Sequence, residues 1–96
     1  MIIHKKIRVG AKEIDALCMR LVRKNLIVLR GARGYIMCGY LDLRAAEKIR
    51  DVAAKITGVS TIKGALQTTV TACTASARRL GIHKGQAVRD VLAVIA

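Results

Sequence analysis

The sequence predicts an α+β fold in which an N-terminal antiparallel sheet of about four strands precedes an amphipathic helix, a short strand and two C-terminal helices. Residues 1–40 carry alternating or continuous apolar runs between turn residues, which is typical of strands. Residues 41–96 carry helix caps and apolar residues at helical spacing. We therefore predict a single domain over residues 1–96, with a β-rich oligomerisation region at 1–40 and a mainly helical region at 41–96.

The first two strands are expected to form a hairpin. Apolar and polar side chains alternate between Ile3 and Val9, and Gly10-Ala11 fits a two-residue turn because glycine accepts a positive φ. The return strand, over residues 13–21, becomes apolar on both faces at Ala16-Leu17-Cys18-Met19. So small a domain has few residues to cover both faces. We therefore expect the N-terminal sheet to pack against another subunit.

A second hairpin and a helix follow. The strand Asn25–Arg30 contains a continuous apolar run, and a basic glycine turn separates it from a strand over residues 35–39. Asp42 is the predicted N-cap of a helix of about fourteen residues that starts at Leu43. Apolar residues at positions 46, 49, 53 and 56 would form its buried stripe, Asp51 and Lys55 an i,i+4 pair on its outer side, and Gly58 its left-handed C-cap.

The last third of the chain alternates between element types. Residues 61–66 fit one helical turn, and the β-branched residues 68–71 predict a short strand. Thr74 or Thr71 would cap a helix that Gly81 closes. Gly85 opens a last helix, in which apolar residues lie at i, i+3, i+4 and i+7: Val88, Val91, Leu92 and Ile95.

The formal charge of +12, from 18 Lys and Arg against 6 Asp and Glu, favours polyanions as partners. The densest basic groups are residues 5–8, residues 20–24, and Arg30 with Arg33. Only Tyr35 and Tyr40 are aromatic, so the platforms that stack single-stranded bases are almost missing. Weak nucleic-acid or anion binding and a merely solvated basic surface are both open interpretations of this charge.

Cysteine and histidine spacing predicts neither a metal site nor a cofactor. Cys18, Cys38 and Cys73 form no C-x-x-C pair, and His4 and His83 are far apart in the sequence. Free thiols favour a reducing compartment, and the first residues lack the apolar segment of a signal peptide. The apolar runs are far shorter than the roughly 20 residues that span a bilayer. We expect a cytoplasmic protein without membrane association.

Three segments resemble, in order, the YunC-like proteins of bacteria and archaea, a family with a domain of unknown function. They are residues 34–42, Ile56-Thr57-Gly58-Val59, and Leu80-Gly81-Ile82-His83-Lys84-Gly85. The resemblance implies an α+β fold and an N-terminal β region used for tetramer formation, but no reaction. This chain departs from relatives that often carry a proline between Ala65 and Val70, which puts the local turn there in question.

Cys38 and Asp42 are the candidate catalytic residues. Cys38 precedes Gly39 and the predicted cap, where helix amides would favour a thiolate. No base is visible near it in the sequence, and a buried cysteine in an apolar strand is commonly a small core residue. Asp42 as a general base would need a perturbed environment, whereas its role as a helix cap needs nothing further.

The candidate ligand-binding residues are Arg30, Arg33, Gly34 and Tyr40. The first three belong to a glycine-spaced basic turn that could bind phosphate or carboxylate, although a solvated hairpin loop has the same sequence. Tyr40 lies just after Gly39 and could line a cleft or pack in an interface. Together these features favour a homo-oligomeric, non-enzymatic binding or assembly module. A basic nucleic-acid-associating protein and a small enzyme using Cys38 are the alternatives.

Overall fold

Six strands form one sheet in which neighbours in space are also neighbours in the chain. The computed structural model describes residues 1–96. The strands are β1 (Ile2–Val9), β2 (Lys12–Arg20), β3 (Asn25–Arg30), β4 (Tyr35–Met37), β5 (Ala53–Lys55) and β6 (Ala72–Cys73). All pairs are antiparallel except β4 with β5, which is parallel. The α+β class and the four-stranded N-terminal antiparallel sheet are confirmed.

The β1–β2 hairpin turns where the sequence places it. Gly10 has φ 62, a left-handed conformation that side chains with a Cβ rarely adopt. The resulting register pairs Val9 with Lys12 and Ile7 with Ile14. The turn thereby determines which residues of both strands share a face.

Four short helices complete the fold: α1 (Leu43–Lys48), α2 (Ile62–Leu66), α3 (Ala75–Arg79) and α4 (Val88–Ile95). Asp42, Thr61 and Thr74 cap the first three, each accepting a hydrogen bond from a backbone amide of the first turn. The predictions for Asp42 and for α2 are confirmed, and Thr74, not Thr71, caps α3. None of the helices has the length and apolar character needed to cross a membrane.

The helix predicted from Leu43 to residue 56 is wrong in its length. It ends at Lys48, and Arg50 then takes φ 59, a left-handed conformation that breaks the helix. Residues 53–55 instead form β5, which pairs with β4. Asp51 is therefore no helical partner of Lys55, and its carboxylate accepts a hydrogen bond from Tyr35. Gly58 is left-handed, with φ 73, but it caps no helix.

The C-terminal third differs from prediction in one element. The strand expected at residues 68–71 lies instead at Ala72–Cys73, and Thr69 forms only an isolated bridge with Ala87. The last helix is confirmed. It begins at Val88, and all four residues of its predicted stripe are buried.

One face of the sheet, the core face, holds the main hydrophobic core. It presents six buried side chains from three strands: Ile14, Ala16, Cys18, Ile27, Leu29 and Ile36. Strand alternation and register place them on one side. The buried side of α4 joins the same cluster. Thr74 is the only buried polar residue, and its hydroxyl donates to Asp51 O at 2.7 Å.

The opposite side of the sheet, the outer face, is covered only in part. Leu41, which precedes α1, and Ala46 of α1 pack there against Ala53 of β5. Over β1–β3 the same face carries half-buried apolar residues that belong to neither core cluster: Leu17, Met19 and Val28. The two-sided apolar character of β2 is thus present in the fold, with one side left uncovered.

Candidate functional site

Four strand ends meet at one edge of the sheet and enclose a cleft of about 690 Å³. β2, β4 and β5 end at this edge, and β3 begins there, because β3 runs antiparallel to β2 and β4 while β5 runs parallel to β4. The walls come from the β2–β3 turn, from residues 38–40 after β4, and from residues 57–60 after β5. We call this site the basic cleft.

Three cations line the basic cleft: Arg20, Arg23 and Lys24. No acidic residue lines it, and every ion pair of the chain involves Asp15 on the outer face. The side chains of the three cations also make no hydrogen bond within the protein. The cleft therefore has a positive potential that nothing in the chain neutralises.

Cys38 lies at the floor of the cleft and is 5% exposed. Its Sγ accepts a hydrogen bond from Ile27 N at 3.4 Å and donates to Asn25 O at 3.8 Å. Both contacts tie the thiol to the backbone of β3. Neither a histidine nor a carboxylate, the usual bases that activate a thiol, lines the cleft.

Asn25 connects the start of β3 to the opposite wall. Its Nδ2 donates to Ser60 O at 2.8 Å, while its Oδ1 is buried with no hydrogen-bond partner. The Ser60 carbonyl sets the orientation of the amide group, because an oxygen in place of Nδ2 would face another acceptor. A buried acceptor without a partner costs about 1–3 kcal/mol. Asn25 thus holds the 57–60 loop in place at the expense of an unsatisfied oxygen.

The 57–60 loop contributes unpaired backbone amides. Ile56 N donates to Met37 O, and the next backbone amide that donates to a backbone oxygen after it is Ala65 N. The N–H groups of Thr57, Gly58, Val59 and Ser60 have no acceptor within the chain. The left-handed Gly58 lies in this run, and successive amides in turn conformations can form concave anion sites.

Of the candidates from the sequence, Cys38 and Tyr40 lie together in the basic cleft. Tyr40 is 49% exposed on its rim. Asp42 lies two residues further on and does not line the cleft. Its Oδ1 accepts from Arg44 N at 3.0 Å and from Ala45 N at 3.4 Å, which is the geometry of a helix cap.

Arg30, Arg33 and Gly34 lie away from the basic cleft, around the β3–β4 turn. Arg30 donates to Asp15 on the outer face. Arg33 N donates to Ile95 O, so the end of α4 packs on this turn. A Cβ on Gly34 would lie 2.5 Å from Val52 O, so close internal packing accounts for this glycine. Ligand binding by these three residues stays a prediction.

A second cleft, of about 450 Å³, lies between α1 and α3. Arg50 and Arg79 line it together with Glu47, whose Oε1 accepts from Ala75 N at 3.0 Å. One of its three charged residues is thus an acid, unlike in the basic cleft. The structure brings no three His, Cys, Asp or Glu side chains together in a way that could hold a metal ion.

Residues 37–95 match the family model described as "Domain of unknown function (DUF1805)". This segment is more than half of the chain. The chain belongs to the DUF1805 family. The resemblance to YunC-like proteins is thereby confirmed.

Two similar proteins extend the similarity to nearly the whole chain. The Bacillus subtilis (strain 168) protein YunC is 32% identical over 90 residues, which cover 90% of this chain and 89% of the relative. The crystal structure of a protein of unknown function from Thermoplasma acidophilum, TA1206, matches with a TM-score of 0.96 at 29% identity. That match covers 100% of this chain and 94% of the other.

The DUF1805 segment contains two of the three walls of the basic cleft. Residues 38–40 and 57–60 lie inside the matched range, while Arg20, Arg23 and Lys24 precede it. Sequence reasoning noted the basic group at residues 20–24 but did not assign it to a site. It missed the 57–60 loop because the helix expected up to residue 56 placed this loop away from β4.

Proposed function

We propose that this protein is a non-enzymatic binding and assembly module that forms a homotetramer through its N-terminal strands and binds an anionic ligand in the basic cleft. The observation that carries the assembly part is the uncovered outer face of β1–β3. The YunC-like resemblance, with its N-terminal tetramer-forming region, supports the same arrangement.

The register arranges the outer face in rows across the strands. Ile2 pairs with Met19, and Met19 pairs with Leu26. In the next row, Leu17 pairs with Val28. Directly paired residues share a face, so these five side chains are neighbours on the outer face. We call this surface the apolar patch; it consists of Ile2, Leu17, Met19, Leu26 and Val28. Four of its members, Ile2, Leu17, Met19 and Val28, belong to neither core cluster, whereas Leu26 also packs against the main core.

The chain is also strongly apolar at the exposed end of this sheet. Ile2 is 68% exposed and Val22, in the β2–β3 turn, is 91% exposed. Met1 and Leu21 are also exposed at this end, whereas the exposed Ile3 pairs with Cys18 and so lies on the core face. Exposed apolar residues that lie together mark surfaces that become buried in an assembly. Burial of this region against other copies would stabilise a protomer of 10.4 kDa, a size at which a single core contributes little stability.

A charge in the apolar patch tests the assembly. We expect the wild-type protein to have a native mass that is a multiple of 10.4 kDa in multi-angle light scattering. Leu17→Glu should dissociate or unfold it, because an unpaired buried charge costs several kcal/mol. Gln67→Glu, which adds the same charge at an exposed site after α2, should leave the mass unchanged. A wild-type protein that is a stable monomer at micromolar concentration would refute the assembly.

Nucleic-acid association is the second candidate, and the formal charge of +12 favours it. An oligomer would multiply this charge, and counterion release would make the binding weak in sequence preference and strongly salt-dependent. Retention on DNA should then fall steeply between about 50 and 200 mM salt. Tight binding to one sequence with a flat salt response would contradict this candidate, and so would the absence of binding at low salt.

Catalysis by Cys38 is the third candidate. The thiol would need a base to activate it, and neither a histidine nor a carboxylate lines the basic cleft. The observed contacts of Sγ with the backbone of β3 favour a packing role for Cys38.

A further inference from the structure

We propose that the ligand of the basic cleft is an organic phosphate with a planar ring, whose phosphate group lies between the three cations and the amides of the 57–60 loop and whose ring packs on Tyr40. This inference deepens the binding role proposed above and rests on it. The ligand and the assembly are measured by separate experiments, so failure of the one can be told from failure of the other.

The number of donors in the cleft favours a phosphate group over a carboxylate. Arg20 and Arg23 carry guanidinium groups that match phosphate geometry bidentately, and Lys24 adds a third positive charge. Thr57, Gly58, Val59 and Ser60 supply four further N–H groups without partners in the chain. A carboxylate has two oxygens, whereas a phosphate monoester has three terminal oxygens and a charge of about −1.5 to −2 at neutral pH. The phosphate therefore uses more of these donors.

The size of the cleft favours a small molecule. Its volume of about 690 Å³ lies within the range of roughly 300–1,000 Å³ that is common for small-molecule sites. A channel for single-stranded nucleic acid would offer several aromatic side chains along a groove. The basic cleft has one aromatic side chain, Tyr40, at its rim.

Tyr40 is suited to a planar group. The residue is 49% exposed and its hydroxyl makes no hydrogen bond within the chain. Stacking of a base on an aromatic ring contributes about 1–3 kcal/mol. The cations and amides thus account for the phosphate, and the tyrosine ring for the remainder of the ligand.

Titration of the isotope-labelled full-length protein with AMP tests the site by NMR. Inorganic phosphate and adenosine, the two chemical parts of AMP, are titrated separately for comparison. We expect AMP and inorganic phosphate to shift the backbone amide signals of residues 57–60, with AMP the tighter ligand. Adenosine alone should leave those signals in place.

Matched variants separate the site from the general basic surface. Arg23→Gln should weaken AMP at least about tenfold, as expected for loss of a charge-assisted hydrogen bond. Arg89→Gln removes an equal charge from an exposed position on α4 and should change the affinity less than about twofold, because distant surface charges are screened. Tyr40→Ala should weaken AMP but not inorganic phosphate, and Tyr40→Phe should retain AMP binding.

Three results would overturn the proposal. They are equal weakening by Arg23→Gln and Arg89→Gln, amide shifts spread over the whole basic surface, or no shift at millimolar AMP. A fourth result would also overturn it: if single-stranded DNA shifts the same amide signals and binds with much higher affinity than AMP, the site is one for nucleic acid. Light scattering on the same samples reports the assembly separately, so a failed titration with an intact oligomer rejects the ligand and not the assembly.

Discussion

Asp15 lies directly opposite Arg30 across β2 and β3, and its Oδ2 accepts a hydrogen bond from Arg30 Nη2 at 2.8 Å. The other carboxylate oxygen contacts Lys6 Nζ at 2.7 Å and accepts from His4 Nε2 at 3.0 Å. Hydrogen bonds from Lys6, then Arg30 and His4, hold the pKa of Asp15 well below its ordinary value of 3.8. This one carboxylate is the acceptor of every ion pair in the chain.

We expect Asp15→Asn to lower the stability at neutral pH, because it leaves Lys6 and Arg30 close together on the outer face without a carboxylate between them. A carboxyl group with a lowered folded-state pKa stabilises the fold above its unfolded pKa and loses that effect as the pH falls. The difference between wild type and Asp15→Asn should therefore shrink below about pH 4. Urea denaturation at pH 7 and pH 3 measures it. Glu13→Gln removes the same charge from an exposed residue without an ion pair, and an equal effect of this control would contradict the prediction.

Tyr35 and Asp51 form a second coupled pair. Burial of the Tyr35 ring, together with its hydrogen bond to Asp51 Oδ2 at 2.9 Å, raises the pKa of Tyr35 to about 12. Because this folded-state pKa lies above the ordinary value of 10.0, the contribution of Tyr35 to stability is complete below pH 10 and is lost as the pH rises toward 12.

Tyr40→Phe leaves Tyr35 as the only tyrosine, so its ionisation can be followed by ultraviolet absorbance. We expect a midpoint near pH 12 in this variant. Adding Asp51→Asn should lower the midpoint but keep it above 10, because burial, the larger cause, remains. Ionisation of Tyr35 near pH 10 in the folded protein would contradict both its burial and its hydrogen bond to Asp51.

The fold was predictable where a local signal and the tertiary structure agree. Gly10 marks the first hairpin, Asp42 the start of α1, and the stripe of α4 is buried as its spacing predicts. The end of α1 at Lys48 was not predictable. Ile49, which the helical stripe would bury, is 69% exposed, and β5 is determined by its pairing with β4. A left-handed Arg50 has no signature in the sequence, since arginine is a good helix former.

The candidate site was predictable only in part, for the same reason. Cys38 and Tyr40 were found because they lie next to a recognisable turn. Their neighbours across the cleft, Arg23 and residues 57–60, come close only because β5 adds to the sheet in parallel with β4. That contact depends on which strands pair in the folded protein. The spacing of apolar residues indicates secondary structure but not this pairing.

Gly31 and Gly39 provide a matched pair of substitutions. A Cβ at Gly31 would lie 2.1 Å from Ile95 O, a backbone atom that is unable to move without displacing the end of α4. A Cβ at Gly39 would meet nothing within 4 Å, and Gly39 has no positive φ. We expect Gly31→Ala to destabilise the protein by about 1–3 kcal/mol or more and Gly39→Ala to have little effect. Chemical denaturation measures both, and equal stability of the two variants would contradict the packing of α4 on this turn.

Cys38 is expected to be slow to react although it lines a cleft. Its Sγ contacts backbone groups of β3 and it is 5% exposed, so iodoacetamide at neutral pH should label Cys38 more slowly than the same cysteine in the urea-unfolded chain. Peptide mass spectrometry distinguishes it from Cys18 and Cys73, which are also buried. Cys38→Ala should cost roughly 1 kcal/mol through a small cavity. Rapid labelling of Cys38 alone in the native protein would instead identify a reactive thiol, and catalysis by Cys38 would then become the leading function.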